Sequence, residues 1–352
     1  MTTPLGKITP AEFERTIARQ LGARRDEVLL GPGVGCDSAV IRIGAGRVMA
    51  VTTDPLSLIP AFGPEDSARL ACHLLASDLW ASGIPPAYAS VCFSLPPGFP
   101  DATFEAYWAA MSDEFAQLGI AVVTGHTGRY AGCDLTILGA ATLIGVGDEG
   151  RTVGPAHVQA GDKVLMTKDC AFEATAVAAR LFPRRLATKL DEDQLARAVA
   201  KSRQVSVVAD CRAALRVGVR DRGVSALHDA TEGGVLGGLL ELARAGVADI
   251  RVSRAAMLVS DEARVACELM ELDPLWTLSE GTLLLTVRPA WALEVLAQLA
   301  DEGIAAAEIG EVVRGNGVVW LTGAGGEVTR ISEARPDGYW AAYDRAVREG
   351  WS

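Results

Sequence analysis

Five segments of this chain hold side chains whose type and spacing could do chemistry. The first is Gly31-Pro32-Gly33-Val34-Gly35-Cys36-Asp37-Ser38-Ala39-Val40, with three glycines in five residues. Glycine-rich backbone can bring its amides close to an anion, and Asp37 stands where the loop ends. An ordinary loop entering a strand reads the same way. The second is Asp54, just past a predicted strand and before Pro55. Binding groups gather at such strand ends in α/β proteins, although a turn aspartate before proline is equally common. The third is Asp78. On a predicted helix, Ser67, Ala71, Leu74 and Asp78 fall on one stripe, so a carboxylate sits where burial is expected. It also lies near the helix C-terminus, where the macrodipole disfavours an anion, and Gly83 is placed to end the helix. A cation would compensate it; a half-exposed surface aspartate would need none. The fourth is Thr124-Gly125-His126-Thr127-Gly128, which sets a hydroxyl and an imidazole at a predicted sheet end, within reach of a phosphate or substrate. The fifth is Leu227-His228-Asp229-Ala230-Thr231-Glu232-Gly233-Gly234-Val235. There Thr231 reads as a helix N-cap with exposed amides behind it, and Asp229 and Glu232 add acidic groups.

The elements that must position these residues alternate along the chain. Hydrophobic periodicity and turn residues predict strands over 47–53, 87–93, 121–124, 135–144, 163–167, 224–227, 282–287 and 318–321. They predict helices over 10–21, 64–82, 101–118, 172–181, 191–217, 234–245 and 289–302. The stretch 145–161 is rich in glycine, proline and charge and has no periodicity, which marks a domain junction. Two α/β domains are therefore expected, over 1–155 and 156–352.

Composition narrows the function. The chain has 352 residues, 49% hydrophobic and 22% charged, which suits two packed cores and excludes disorder. A net charge of -11, without a basic stripe, argues against nucleic acid as a partner. The longest nearly apolar run, 135–146, is too short for a membrane helix, and the polar N-terminus lacks a secretory h-region. No membrane partner and a cytoplasmic location are expected. The seven cysteines are scattered singly, without CxxC, as reduced thiols would be. An acidic chain can still hold a polyanion when metal ions bridge the two.

The segments GPGVGCDSAV, TTDP, ASDLWASGIPP, TGHTG, GDKVLMTKDCAFEATA and HDATEGG, in this order, resemble the aminoimidazole ribonucleotide (AIR) synthetase superfamily. That superfamily, with its PurM-like fold, includes AIR synthetase, thiamine-monophosphate kinase, selenophosphate synthetase and the hydrogenase-maturation protein HypE. The likeness runs from residue 6 to about 321 and is nearest the AIR-synthase-related or HypE-like branch. It implies a two-domain α/β (α+β) fold. The N-terminal domain would bind ATP and form a homodimer by closing its sheet into a shared β-barrel, and an α/β sandwich domain would follow. It implies ATP with Mg2+ as cofactors and a small-molecule substrate. By the same resemblance Asp37, Asp54 and Asp78 become candidate metal and phosphate ligands. Gly33, Gly35, Gly125 and Thr127 become nucleotide- or substrate-binding positions, and Asp229, Glu232 and His126 become catalytic candidates.

This chain also departs from the pattern. His126 stands where thiamine-monophosphate kinase has an acidic residue, and Cys36 where this branch usually has one. HypE ends in a reactive cysteine, whereas this sequence ends Arg348-Glu349-Gly350-Trp351-Ser352. Cys36 could imitate the cysteine of selenophosphate synthetase, but no lysine accompanies it and a buried thiol is the favoured reading. The expected function is an ATP-dependent small-molecule enzyme, by phosphoryl transfer or by activation of an amide or carbonyl oxygen. The alternatives are a HypE-like maturation protein and a nucleotide-binding dimeric scaffold without turnover.

Overall fold

The structure, a computed structural model, describes residues 8–133 and 136–352, so the first residue of the strand expected over 135–144 lies outside the described residues. The chain divides into two compact units. The N-terminal unit comprises Glu27–Gly31 and Asp37–Thr152; the C-terminal unit takes in Pro32–Cys36, Val153–Ser352 and the described residues before Glu27. The chain thus enters the second unit for the glycine-rich loop and leaves it again at Asp37. The first helix, α1 (Pro10–Thr16), is capped by the Thr9 hydroxyl, which accepts the Glu12 amide.

The N-terminal unit is built on strands β1 (Val28–Leu30), β2 (Ala39–Gly44), β3 (Arg47–Ser57), β4 (Tyr88–Leu95), β5 (Ala121–Arg129) and β6 (Ile137–Asp148). They form one sheet in the order β1-β2-β3-β6-β4-β5, antiparallel except where β5 runs parallel to β4. Helices α2 (Gly63–Trp80) and α3 (Asp101–Leu118) follow β3 and β4. Alternation decides which face they cover. Along β4, Ala89, Val91, Phe93 and Leu95 are buried while Tyr88 and Cys92 are exposed. Phe93 meets the edges of Phe104 and Tyr107 on α3 at centroid distances of 5.1 and 6.1 Å. Gly119, at φ 75°, ends α3 in the left-handed conformation that glycine adopts without strain.

The opposite face of this sheet is open within the chain, with Tyr88 and Ile137 each 45% exposed. Helices cover the other face alone. The sheet is open, with β1 and β5 at its edges, and among the described residues no barrel closes within one chain.

The C-terminal unit carries β7 (Lys163–Thr167), β8 (Val224–Ala230), β9 (Asp249–Ser253), β10 (Thr282–Val287), β11 (Ala306–Val313), β12 (Val319–Thr322) and β13 (Val328–Ile331). Their order is β13-β12-β9-β11-β7-β10-β8, and only the β12–β9 pair is parallel. Around them run α4 (Phe172–Leu181), α5 (Pro183–Leu186), α6 (Glu192–Ala200), α7 (Val208–Val217), α8 (Gly234–Ala245), α9 (Asp261–Met270), α10 (Ala292–Asp301) and α11 (Tyr339–Arg348). Met166, Leu236, Leu239, Ile250 and Leu284 fill the core between α8 and the sheet. Gly238 lets α8 come close, because a Cβ there would lie 2.9 Å from Leu284 Cδ1.

The single helix expected over 191–217 is broken into α6 and α7. Asp191 and Gln194 close a capping box on α6. Between the helices Val205 and Val207 are buried, and the Ser206 carbonyl accepts from Lys168 Nζ at 2.7 Å. Tertiary packing diverts that carbonyl and overrides local propensity. Among the described residues, no helix is long and apolar enough to cross a membrane.

Candidate functional site

Asp54 was expected after its strand, but β3 continues to Ser57 and holds it inside. Thr52, Asp54 and Leu56 fall on the helix-covered face, where α2 presents Asp78. The Thr52 hydroxyl lies 2.9 Å from the Asp37 backbone carbonyl and 3.1 Å from Asp78 Oδ2. One hydroxyl proton can serve only one of these acceptors at a time. Asp78 is half-buried beside Ser77 and Leu79, and the C-terminal turn of α2 gives it no dipole support. The arrangement offers carboxylate, carbonyl and hydroxyl oxygens and no sulfur, a donor set matched to a hard divalent cation.

His126 is not part of this group. The strand expected to stop at 124 runs on to Arg129, so the whole Thr124-Gly125-His126-Thr127-Gly128 segment lies within β5. His126 is in register with exposed Cys92, on the sheet face away from the helices, and its Nε2 is 2.7 Å from the Tyr130 hydroxyl. Gly125 does share a face with Asp54, through the ladder Asp54, Ala141, Val91, Gly125. Three strand spacings separate the two, roughly 14 Å. Thr127, level with Phe93, lies on the same face. A cavity of about 570 Å³ opens between α3 and this edge strand, lined by Phe93, Phe104, Trp108 and residues 122–127.

In the C-terminal unit, β8 continues past its expected end at 227, so His228 and Asp229 are buried strand residues. His228 Nε2 is 3.0 Å from Glu241 Oε2 on α8. The glycine-rich loop packs on the same stretch of α8. A Cβ at Gly35, where φ is +79°, would lie 2.7 Å from the Glu241 carbonyl oxygen. Gly35 is therefore needed for packing against α8, and the loop's Cys36 amide is already bonded to the Gly33 carbonyl. Gly33 has ordinary space around it.

Thr231 is not the N-cap of α8. That position belongs to Gly233, at φ 84°, and no side chain caps the helix. The two glycines serve backbone approach: a Cβ at Gly234 would lie 2.7 Å from both the nitrogen and the oxygen of Thr277. The groups after Thr231 are engaged by the end of the chain. Asp337 Oδ2 accepts the Gly233 amide at 2.9 Å, and Trp340 Nε1 donates to Glu232 Oε1 at 3.1 Å.

Sequence reasoning missed Glu173. It lies in the first turn of α4, 8% exposed, among buried Phe172, Ala174 and Thr175. Burial, with the charges of Glu232 and Asp337 adding to it, pushes its carboxyl up to about 8. A lone carboxylate inside the apolar run Cys170-Ala171-Phe172-Glu173-Ala174 was the available signal. Lys168 was also missed. It holds φ 56° and donates Nζ to Asp210 Oδ2 at 2.7 Å and to the Ser206 and Gly281 carbonyls. Burial raises the thiols of Cys72, Cys170 and Cys267, the last to about 12, which makes them inert core residues.

Comparison with known proteins agrees with this architecture. Residues 35–146 match the N-terminal domain of AIR synthase related proteins, and residues 159–321 match the C-terminal domain. Carbamoyl dehydratase HypE of Escherichia coli is 31% identical over 282 residues, which cover 78% of this chain and 79% of that protein. The crystal structure of E. coli HypE aligns with a TM-score of 0.68 at 30% identity, over 80% of this chain and 84% of that one. A HypE solved in complex with ATP shares the fold, with a TM-score of 0.67 at 24% identity over 94% of each chain. With both domains matched in order, the protein belongs to the AIR synthase related family.

Proposed function

We propose that the protein is an ATP- and magnesium-dependent enzyme that activates an amide or carbonyl oxygen of a small molecule, or transfers a phosphoryl group to it. The observation that carries this reading is the Asp37 carbonyl, Thr52 and Asp78 grouping, in a chain 31% identical to a carbamoyl dehydratase. Asp37, Asp54 and Asp78 would hold magnesium, in part through water, which this ion keeps readily. When bound, magnesium neutralises charge on the phosphate oxygens, which is much of what phosphoryl transfer requires. Thr52 then keeps Asp78 turned toward β3. Gly33 and Gly35 shape the loop that leads into Asp37, and Gly125 and Thr127 offer binding positions on the same sheet face as Asp54. Asp229, Glu232 and His126 are the acid–base candidates, with Glu232 already held by an indole donor.

The reading includes two functional domains, 1–155 and 156–352, and a homodimer that closes a shared barrel over the open face of the N-terminal sheet. Tyr88, Ile137 and Val146 on that sheet are 45%, 45% and 37% exposed, an apolar surface that a second copy would cover symmetrically.

Calorimetric titration of ATP with and without magnesium tests the cation-bridged reading. Because the chain carries a net charge of -11, the triphosphate should bind tightly only with the cation. Asp54→Asn or Asp78→Asn should weaken that binding. Equal affinity with and without magnesium would overturn it.

A further inference from the structure

Glu241, on α8, touches two segments of the C-terminal unit whose residues were singled out for chemistry. Pro32–Cys36, β8 and α8 all belong to that unit. On one side the Glu241 carboxylate meets His228 on β8, Oε2 to Nε2 at 3.0 Å. On the other, its backbone lies against the glycine-rich loop. A Cβ at Gly35 would sit 2.7 Å from the Glu241 carbonyl oxygen, 2.9 Å from its carbonyl carbon and 3.1 Å from its Cβ. Gly35 also holds φ +79°, so only bare backbone seats there without strain. The loop closes on itself through the Cys36 amide, which donates to the Gly33 carbonyl at 3.2 Å. It therefore meets α8 as a folded turn.

The imidazole is held in one orientation. His228 is 3% exposed and pairs across the sheet with Leu284 of β10. Gly238 lies three residues before Glu241, on the same side of α8, and faces both strands. A Cβ there would lie 2.9 Å from Leu284 Cδ1 and 3.4 Å from His228 Cδ2. Cδ2 and Nε2 are neighbours in the ring, so that edge faces α8 and Nδ1 is turned away from it. A carboxylate accepts and has no proton to give, so Nε2 carries the hydrogen. In the neutral ring Nδ1 is then the acceptor. A hydrogen bond to a charged group contributes enough to keep the other tautomer below about one part in ten. Glu241 thus fixes the orientation and the tautomer of a buried imidazole next to Asp229 on the strand.

We propose that Glu241 is a positioning residue that couples the glycine-rich loop to His228. Its backbone carries the seat of Gly35 and its carboxylate carries the imidazole, so a shift of the loop on α8 reaches the ring through one residue. What the coupling serves rests on the function proposed above, in which Asp37 follows the loop and Asp229 follows His228. The coupling itself rests on the contacts alone. A ligand that draws the loop toward Asp37 moves Gly35 on Glu241, and the hydrogen bond to Nε2 then loosens or turns. His228 has the arrangement of a histidine that works through one ring nitrogen while a carboxylate holds the other. Loosening that hold changes which nitrogen carries the proton beside Asp229.

Ring-nitrogen NMR of the full-length protein with isotope-labelled histidine tests this. The chain has four histidines, and the His228 signal is the one that survives replacement of His73, His126 and His157 by glutamine in turn. Wild type should show one tautomer, with the hydrogen on Nε2. Glu241→Gln keeps an acceptor oxygen and should retain it. Glu241→Leu keeps the backbone but no acceptor, and should bring the two tautomers to comparable populations while amide protection at Cys36 stays within about twofold. Gly35→Ala adds a methyl whose nearest neighbours are all atoms of Glu241, and it should disturb the His228 signal as Glu241→Leu does. Hydrogen on Nδ1 in the wild type, or a folded Gly35→Ala with an unchanged His228 signal, would overturn the coupling. Should Gly35→Ala fail to fold, Pro32→Gly loosens the loop without adding bulk and should split or broaden the same signal; an unchanged signal there counts against the proposal equally. Absence of ATP binding in a separate titration would sink the proposed function and leave the coupling to be decided by these variants.

Discussion

Replacing Thr52 with valine keeps the side chain's shape and removes the one hydroxyl between the Asp37 carbonyl and Asp78 Oδ2. Thr52 is 6% exposed, so water does not simply take its place. A hydrogen bond to a charged acceptor contributes about 1.5–3 kcal/mol, so Thr52→Val should lower the stability of the N-terminal unit by about 2 kcal/mol. The consequence for binding is separate. Without the hydroxyl, Asp78 must be oriented when the metal–nucleotide complex arrives. An ordering penalty near 1.4 kcal/mol raises the Kd for ATP with magnesium about tenfold. Calorimetry on Thr52→Val, Asp78→Asn and the double variant separates the two effects. If Thr52 acts through Asp78, its binding effect disappears in the Asp78→Asn background. Thr52→Ser should restore most of it. Loss of stability with affinity unchanged within twofold would refute the link between this hydroxyl and nucleotide binding.

Two other outcomes follow from buried charge and exposed surface. Lys168→Met should destabilise by about 3–5 kcal/mol and lower Tm by about 6–20 °C in thermal unfolding, because it strands the buried Asp210 carboxylate; a Lys168→Met/Asp210→Leu double variant should recover most of the loss. Light scattering at micromolar concentration should show a homodimer, and Tyr88→Asp with Val146→Asp should yield a folded monomer; a wild-type monomer would mean that the open sheet face has no second copy as its partner.

Much of the frame was legible because local rules governed it. The helices expected over 101–118, 172–181 and 234–245 have those bounds in the structure, each set by periodicity and by proline or glycine at an end. Asp78 was legible for the same reason, as a carboxylate on a helical stripe otherwise buried. Its partner was not, since Thr52 meets it only when α2 packs on β3, a contact between residues 26 apart in sequence. The polar pair His228 and Asp229 looked like the end of a strand. Pairing with β10 and the contact of His228 with Glu241 keep both inside it. The glycines at 35 and 234 were recognised as special, but what approaches them was not legible. Neither sequence position says that the backbone facing it belongs to Glu241 or Thr277. Glu173 was hidden most deeply, because its environment is assembled from α4, the turn before α8 and the start of α11.

The two acidic groupings differ in what neutralises them, and that difference separates their chemistry. In the N-terminal unit Asp78 meets a hydroxyl that also faces a carbonyl, an arrangement of oxygens that suits a hard cation. In the C-terminal unit burial pushes the Glu173 carboxyl up to about 8, and Asp337 is raised by burial while backbone amides hold it. A neutral carboxyl contributes little to holding a cation but can donate a hydrogen bond, and one with a value near 8 is poised to exchange protons at working pH. Divergent environments for carboxyl groups are how one protein divides electrostatic and acid–base work. In the function proposed above, Asp37, Asp54 and Asp78 are the carboxylates that would hold magnesium. In the same reading, acid–base work falls to the C-terminal carboxyls, where the charges of Glu232 and Asp337 act on Glu173.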